Sequence, residues 1–201
     1  LSGGVAASGG SLSNLMALVM ARNIAGLGND PSAVFFASDD CHISFLKAQR
    51  IMGLNQESLQ KVPTDENGKL DISYLASNFK KIKSKGKKCF AVVATAGTTV
   101  RGAIDPLSEI AKFCKKEKVW FHVDGAIGGI YGLSSITSEI VEGLCFADSI
   151  TVNPQKVLGI AKTSSLLLVA NKNHLSSTFA TGLPYAEPII GNEFHGGELG
   201  I

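Results

Sequence analysis

The feature that most constrains this chain is a series of short, almost wholly apolar runs that alternate with helix-forming segments. The clearest run is CFAVVAT at residues 89–95, and residues 33–37, 119–123, 149–152 and 164–170 have the same character. Strands that are apolar along their length are buried on both faces, as in a mostly parallel sheet covered by helices on each side. The pattern therefore predicts a three-layer α/β fold.

Helices are expected between these runs. Good helix formers dominate residues 11–25, and helix signals also occupy residues 42–52, 71–85, 106–117 and 136–144. The glycines at 125, 128, 129 and 132 predict an irregular segment after the run at 119–123.

Composition excludes several classes of protein. The 201 residues are 45% hydrophobic and 18% charged, which favours one compact domain over a disordered or fibrous chain. No apolar run approaches the roughly 20 residues of a membrane span, so no membrane partner is expected. The first residues hold neither an initiator methionine nor a basic signal region, so we expect the chain to begin within a longer protein. Four widely spaced cysteines without a C-x-x-C pair favour a reducing, cytoplasmic setting and no metal site.

Six lysines crowd into residues 80–88. They predict either the solvated C-terminal end of a helix, where lysine suits the helix dipole, or a patch that binds nucleic acid. The first interpretation is preferred because no aromatic residues separate the lysines and no second basic stripe supports them. No nucleic-acid partner is therefore expected.

The candidate functional residues follow the predicted strands or begin a helix. They lie at residues 8–11, 38–42, 95–99, 124–126 and 153–156. Open α/β sheets bind ligands in the crevice beyond the carboxyl ends of their strands, so we expect these five loops to converge on one pocket.

Three of these loops each suggest a contact to a different part of one ligand. Gly10 and Ser11 open a helix, where free N–H groups can bind a phosphate, although a simple serine cap is the alternative. Asp124 ends a buried strand and needs a cationic or hydrogen-bonding partner, unless it only caps a turn. Lys156 precedes apolar residues and could form a Schiff base, unless it is an ordinary exposed lysine. His122 is expected to be a structural histidine.

Taken together, a phosphate site, a buried carboxylate for a ring nitrogen and a lysine for an aldehyde are the contacts that pyridoxal 5'-phosphate requires. Their coincidence at strand ends favours this cofactor over the separate alternatives. The glycines match neither G-x-G-x-x-G nor a P-loop, so a generic nucleotide-binding domain is disfavoured.

The sequence also resembles a known family, the pyridoxal-phosphate-dependent group II amino-acid decarboxylases of the glutamate, cysteine-sulfinate and aromatic-amino-acid type. Five ordered stretches carry the resemblance: SGGSLSNLMALVMAR at 8–22, SDDCHIS at 38–44, ATAGTTVRGAIDP at 94–106, WFHVDGAIGG at 120–129 and ADSITVNPQK at 147–156. The resemblance implies that residues 1–201 belong to the large domain of a fold-type I enzyme, and that an N-terminal segment and a C-terminal small domain lie outside them.

The resemblance implies a role for each matching residue. Lys156 would hold pyridoxal 5'-phosphate as the internal aldimine, and Asp124 would pair with the pyridinium nitrogen. Gly10 and Ser11 would bind the phosphate. His42 and Ala126 would pack on the two faces of the ring, and Thr99 and Asn153 would hydrogen-bond around it. Gln155 stands where the family usually has histidine, so an acid–base role at that position is in doubt.

The implied reaction releases carbon dioxide and an amine from an L-amino acid, in a homodimer that shares its active sites. The glycine-threonine stretch at 97–100 is more similar to the glutamate and cysteine-sulfinate branch, which favours an acidic or small polar substrate. The arginine that binds the substrate carboxylate and the proton donor are expected beyond residue 201. Two alternatives remain: another fold-type I enzyme, such as an aminotransferase or carbon–sulfur lyase, and a catalytically silent homologue that binds the cofactor.

Overall fold

A seven-stranded sheet forms the centre of the computed structural model, which describes residues 1–162 and 164–180. The strands are β1 (Gly3–Ala7), β2 (Ala33–Ser38), β3 (Leu59–Val62), β4 (Lys88–Thr95), β5 (Trp120–Gly125), β6 (Ser149–Val152) and β7 (Ser165–Val169). Their spatial order is β1-β7-β6-β5-β4-β2-β3. Strands β2 to β6 pair in parallel, whereas β7 is antiparallel to both of its neighbours. The predicted mostly parallel α/β sheet is confirmed.

Helices cover the sheet on both sides. On one face lie α1 (Gly10–Ile24), α2 (Ser44–Ile51) and α6 (Asn173–Phe179), and on the other lie α3 (Ile72–Ser84) and α4 (Leu107–Glu117). A short helix, α5 (Pro154–Val157), follows β6 directly. None of the helices in the described residues is long and apolar enough to span a membrane.

Each strand contributes alternate side chains to two separate cores. In β2, Phe35 packs in the α1 core with its ring 5.5 Å from that of Phe90, while Phe36 packs in the α3 core 6.1 Å from Phe79. This two-sided burial is the reason that the strand sequences are continuously apolar rather than alternating.

Five strands deliver the predicted loops to the same edge of the sheet. The parallel strands β2, β4, β5 and β6 all point their carboxyl ends to this edge. β1 runs in the direction of β6, because both are antiparallel to β7, and it leads straight into α1. The convergence of the five loops that the sequence predicted is therefore confirmed.

The predicted helix at residues 136–144 is wrong. Two short 3₁₀ helices, Ser138–Val141 and Leu144–Phe146, occupy this region instead, and a third, Gly128–Leu133, precedes it. Gly143 adopts a φ of 97° and lies so close to the start of α4 that a Cβ atom would be 2.5 Å from Ser108 N. A continuous α-helix cannot include such a residue, since only glycine readily adopts this conformation.

The lysine-rich segment is an exposed helix end. α3 ends at Ser84, and Lys80, Lys81, Lys83 and Lys85 are exposed. Lys83 Nζ lies 3.9 Å from a carboxylate oxygen of Glu117 at the end of the neighbouring α4. This arrangement agrees with the interpretation as a solvated helix terminus.

Asp105 holds the loop that follows β4. Its carboxylate is 2% exposed and accepts hydrogen bonds from Leu70 N at 2.8 Å and Thr95 N at 2.7 Å. Burial raises the pKa of this carboxyl to about 6, although the two N–H donors oppose the shift. The folded protein therefore binds a proton at Asp105 more tightly than the unfolded chain does.

We expect Asp105→Asn to change how stability depends on pH. A raised folded-state pKa means that the native protein gains stability at this site as pH falls from about 6 toward about 4, by about 3 kcal/mol in total. The variant cannot gain this stability. The difference in unfolding free energy, native minus variant, should therefore be larger at the lower pH. Urea unfolding of both proteins at pH 7 and pH 4.5 measures that difference. Other buried titratable groups, such as His122, are present in both proteins, so their contributions to the pH dependence cancel in the difference. An unchanged difference would contradict the prediction.

Candidate active site

A cavity of about 200 Å³ lies at the edge where the five loops converge. Twelve residues line it: Gly10, Ser11, Asn14, His42, Thr95, Gly97, Thr99, Asp124, Ala126, Ile127, Asn153 and Lys156. All eight site residues expected from the sequence are among them. The structure thus brings the candidates together, while their individual roles stay predictions.

Gly10 and Ser11 form one end of the cavity, at the start of α1. Gly9 precedes the helix, and its carbonyl accepts from the N–H groups of Leu12 and Ser13 at 3.0 and 3.1 Å. The N–H groups of Gly10 and Ser11 therefore remain for an anion. The serine-cap alternative is wrong, because Gly9 occupies the cap position and no side-chain cap bond forms.

Asp124 is a carboxylate buried at the end of β5, with 4% exposure. Its Oδ2 accepts from Asn14 Nδ2 at 2.9 Å, and its Oδ1 accepts from Ala126 N at 3.2 Å. Burial raises the pKa of this carboxyl above its usual range, and the bond from Asn14 is the strongest opposing influence. A ligand cation inside the cavity would stabilise the ionised form further.

His42 is half-buried between β2 and α2. Its Nδ1 lies 2.9 Å from Ser44 Oγ and accepts from Ser44 N at 3.2 Å, so the ring is held by the first residue of α2. Ala126 is half-buried, and Thr99 is exposed at the mouth of the cavity.

Lys156 lies on α5 within the turn that follows β6. The preceding Asn153 is 5% exposed, and in the described residues its Oδ1 has no hydrogen-bond partner. Gln155 turns away from the cavity lining and bonds to Ser164 Oγ at 3.2 Å and Ser165 Oγ at 3.4 Å. It thereby ties the lysine-bearing turn to the start of β7.

The sequence assigned no individual role to four lining residues, Asn14, Thr95, Gly97 and Ile127, although the candidate loop at 95–99 contains two of them. Thr95 and Gly97 lie within a stretch that follows a predicted strand, and their position at its carboxyl end was the available signal. Asn14 lies one helical turn after Ser11, on the same face of α1. Ile127 gave no signal, since an isoleucine after a glycine-rich turn is typical of many sites.

The cavity fits a polar ligand that carries an anionic group. Asn153 Oδ1 and Thr95 Oγ1 are buried there without partners in the part of the chain that the structure describes. A Cβ atom on Gly10 would lie 2.6 Å from Asn153 Nδ2, so only glycine leaves room for an anion beside the N–H groups. Pyridoxal 5'-phosphate matches this set through its phosphate, ring nitrogen and aldehyde.

A larger hollow of about 760 Å³ lies at the opposite edge of the sheet. Cys89, Phe90, Val119 and Trp120, at the amino ends of β4 and β5, contribute to its lining. It contains none of the eight candidate residues, and the carboxyl-end rule for α/β sheets favours the smaller cavity as the site of chemistry.

Comparison with known proteins supports the same cofactor. Residues 1–189 match the family model described as the pyridoxal-dependent decarboxylase conserved domain. The chain is 39% identical over 202 residues to the aromatic-L-amino-acid decarboxylase of Bacillus atrophaeus, covering 98% of this chain and 42% of that protein. It is 37% identical over 179 residues to the cysteine sulfinic acid decarboxylase of Rattus norvegicus, covering 86% of this chain and 36% of that protein. The chain thus spans about two fifths of the length of such relatives.

Solved structures show the same fold. Mouse CSAD in its apo form matches with a TM-score of 0.86 and 32% identity, over 98% of this chain and 42% of that chain. Oryza sativa TDC with PLP and tryptamine matches with a TM-score of 0.86 and 27% identity, over 93% of this chain and 40% of that chain. With the family model matching nearly the whole sequence and the expected residues around one cavity, the chain belongs to the pyridoxal-dependent decarboxylase family.

Proposed function

We propose that the protein carrying this sequence removes the α-carboxylate of an L-amino acid with pyridoxal 5'-phosphate, and releases carbon dioxide and an amine. One observation carries the proposal: Lys156, Asp124 and the free N–H groups at Gly10 and Ser11 line a single cavity of about 200 Å³. A primary amine, a buried carboxylate and an anion site are the groups that hold this cofactor. When bound, the cofactor supplies an electron sink for the pair left by the broken carbon–carbon bond.

The lining residues have distinct parts in this proposal. Lys156 would hold the cofactor covalently, and Gly10 and Ser11 would bind its phosphate. Asp124 would pair with the ring nitrogen and keep it protonated. The remaining contacts are divided between the ring faces and the ring edge: His42 and Ala126 on the faces, Thr99 and Asn153 at the edge.

Asp124 supplies the main electrostatic contribution. Burial raises the pKa of the Asp124 carboxyl and so disfavours its ionised form, and a cation on the ring nitrogen would favour that form again. Such an interaction would be charge-assisted and, at the buried Asp124, shielded from water, which would make it stronger than an exposed pair. Asp124 would thereby keep a proton on the ring nitrogen of the bound cofactor.

We infer an acidic or small polar substrate. Relatives that match this chain over most of its length include an acidic amino acid decarboxylase from Xenopus tropicalis at 38% identity and an L-aspartate decarboxylase from Metarhizium robertsii at 38%. The aromatic relative from Bacillus atrophaeus makes an aromatic amino acid the direct competitor.

The test is a substrate screen on the protein reconstituted with pyridoxal 5'-phosphate. Carbon dioxide and amine should appear with aspartate, glutamate or cysteine sulfinate, and more slowly with tryptophan or tyrosine. A keto acid or a sulfur product would identify an aminotransferase or a carbon–sulfur lyase instead. Cofactor binding without any product would identify a catalytically silent homologue.

Gly10→Ala is expected to weaken pyridoxal 5'-phosphate binding by roughly fivefold. The new methyl group would lie 2.6 Å from Asn153 Nδ2, and moving Asn153 removes one hydrogen bond from the site, worth about 1 kcal/mol. Fluorescence titration with the cofactor measures the change. Gly9→Ala is the matched control, because Gly9 has an extended φ of 170° and nothing within 4 Å of the added Cβ. Equal losses in both variants would contradict the prediction.

We also propose that the protein acts as a homodimer in a reducing compartment such as the cytoplasm. Apolar side chains are exposed beside the cavity, with Val100 91%, Leu158 55% and Ile160 48% exposed. A second copy packed over them would cover both these side chains and the cavity mouth. The four free cysteines support a compartment in which thiols stay reduced. Sedimentation analysis should give a dimer, and Val100→Asp should weaken it.

A further inference from the structure

Asn14 connects three buried side chains around the cavity. It lies in the second turn of α1 and is 1% exposed. Its Nδ2 lies 2.9 Å from Asp124 Oδ2 and 3.0 Å from Ser44 Oγ, and its Oδ1 lies 3.1 Å from His122 Nε2. A single carboxamide therefore contacts groups from β5 and α2 at once.

The contacts of Asn14 continue in both directions. Ser44 Oγ lies 2.9 Å from His42 Nδ1. On the other side, His122 Nδ1 lies 2.8 Å from Ser149 Oγ, which accepts from Trp120 Nε1 at 2.8 Å. We call this series of hydrogen bonds the Asn14 network: Trp120, Ser149, His122, Asn14, Ser44 and His42, with Asp124 as a branch. All members except His42 are buried, so an unpaired hydrogen here would be unfavourable.

The acceptor end of the network determines the orientation of Asn14. An ionised Asp124 can only accept hydrogen bonds, so the amide nitrogen of Asn14 must face it. The two amide hydrogens then go to Asp124 and Ser44, and Oδ1 faces His122. His122 must therefore carry a hydrogen on Nε2.

The other end of the network is compatible with the same assignment. The indole N–H of Trp120 donates to Ser149 Oγ, whose hydroxyl hydrogen is then available to His122 Nδ1 at 2.8 Å, although Ser149 O also lies 3.2 Å from that nitrogen. The contact with Asn14 therefore decides the tautomer of His122. Burial lowers the pKa of His122 to about 3, so the ring is neutral and has a single N–H. That hydrogen is on Nε2, as the contact with Asn14 requires.

The network also sets the hydrogen positions at His42. Ser44 Oγ accepts from Asn14, so its hydroxyl hydrogen points to His42 Nδ1, and the Ser44 backbone N–H points to the same atom at 3.2 Å. Nδ1 accepts twice, and a neutral His42 must hold its hydrogen on Nε2. In the described part of the chain Nε2 has no hydrogen-bond partner, and the ring lines the cavity.

We propose that Asn14 is a positioning residue that holds Asp124 Oδ2 and, through Ser44, keeps His42 in the tautomer with its hydrogen on Nε2. The cavity thereby receives an oriented carboxylate and an N–H donor from one buried amide. The inference rests on the proposed function only for the identity of the ligand, because every contact in the network belongs to this chain.

The test is nitrogen-15 NMR of the cofactor-free protein with labelled histidine, at pH 8.5, where histidine is ordinarily neutral. His42, assigned by its loss in His42→Gln, should show an unprotonated Nδ1 and a protonated Nε2. Asn14→Leu keeps the size of the side chain but removes its hydrogen bonds. The Ser44 hydroxyl can then accept from His42 Nδ1, opposed only by the longer Ser44 N–H contact, so His42 should shift to a mixture of tautomers. Gln49→Leu is the matched control. It also removes a buried helical carboxamide, bonded to Asn55 O and Gln56 O, and should leave the His42 signals unchanged.

A protonated Nδ1 in the native protein, or unchanged His42 signals in Asn14→Leu, would overturn the proposal. Ser44→Ala provides a second variant if Asn14→Leu does not fold, since it removes the hydroxyl that donates to His42 and accepts from Asn14, and it should give the same mixture. Pyridoxal 5'-phosphate affinity should also fall about tenfold in Asn14→Leu and stay constant in Gln49→Leu. A protein with the expected tautomer but no affinity for the cofactor would contradict the proposed function and leave the network intact.

Discussion

Replacing Lys156 with alanine is expected to abolish covalent attachment of pyridoxal 5'-phosphate and to lower the decarboxylation rate at least about a thousandfold. The loss should be large because covalent attachment holds the reacting groups at a high effective concentration, and no other amine can substitute for it. Among the described residues, Lys156 is the only lysine that lines the cavity. The expected change is therefore a loss of chemistry rather than a loss of fold.

The measurement is a visible absorption spectrum after incubation with the cofactor, followed by borohydride reduction and peptide mapping. The native protein should show a visible band and a label on Lys156, and the variant should show neither. Lys162→Ala is the control, because Lys162 is exposed, lies six positions along the chain and does not line the cavity. A label on another lysine in the native protein would refute the assignment of Lys156.

Replacing Asp124 with asparagine is expected to weaken cofactor binding by about 10- to 100-fold. A hydrogen bond to a charged group contributes about 1.5–3 kcal/mol, and asparagine cannot pair with a protonated ring nitrogen in the same way. The cofactor-free protein should change in stability by only about 1 kcal/mol. The variant loses one hydrogen bond, but it also loses a buried charge whose raised pKa shows that ionisation is unfavourable there.

This combination separates a functional Asp124 from a purely structural one. If Asp124 only capped the turn through Ala126 N, its substitution would lower the stability of the protein and leave its affinity for the cofactor unchanged. Asp148→Asn is the control: Asp148 also has a raised pKa through burial and accepts from Phe121 N at 2.8 Å, but it does not line the cavity. Calorimetric titration and thermal unfolding of both variants measure the two quantities.

The sequence predicted the regular part of the fold correctly because its signals are local. The central strands β2, β4, β5, β6 and β7 appear within one or two residues of the expected bounds, since continuous apolar runs of four to eight residues are typical of buried strands. It missed β1, β3, α5 and α6, which have five, four, four and seven residues. Elements this short give little periodicity, and β1 has two glycines among its five residues. Their structure depends on neighbours that are distant in sequence.

The residues of the candidate site were predicted more completely than the short elements of the fold. All eight candidate residues line the cavity, because the direction of parallel strands brings their carboxyl ends to one edge whatever the details of packing. The misidentified helix at 136–144 shows the opposite case. There the contact of Gly143 with the start of α4 decided the backbone, and no local signal in the sequence reports such a contact.

The alternation of β5 shows where sequence ends and tertiary structure begins. Trp120, His122 and Asp124 share one face of the strand by the two-residue period, which is determined by the sequence alone. The residues that contact this face of the strand were not determined by the sequence alone. Asn14 is 110 positions from Asp124 and 30 from Ser44, and only the packing of α1 across the sheet brings its amide within 3.0 Å of both. Sequence determined which groups share a face, because backbone geometry is local. Tertiary structure decided their hydrogen-bond partners and tautomers, because those depend on contacts between distant parts of the chain.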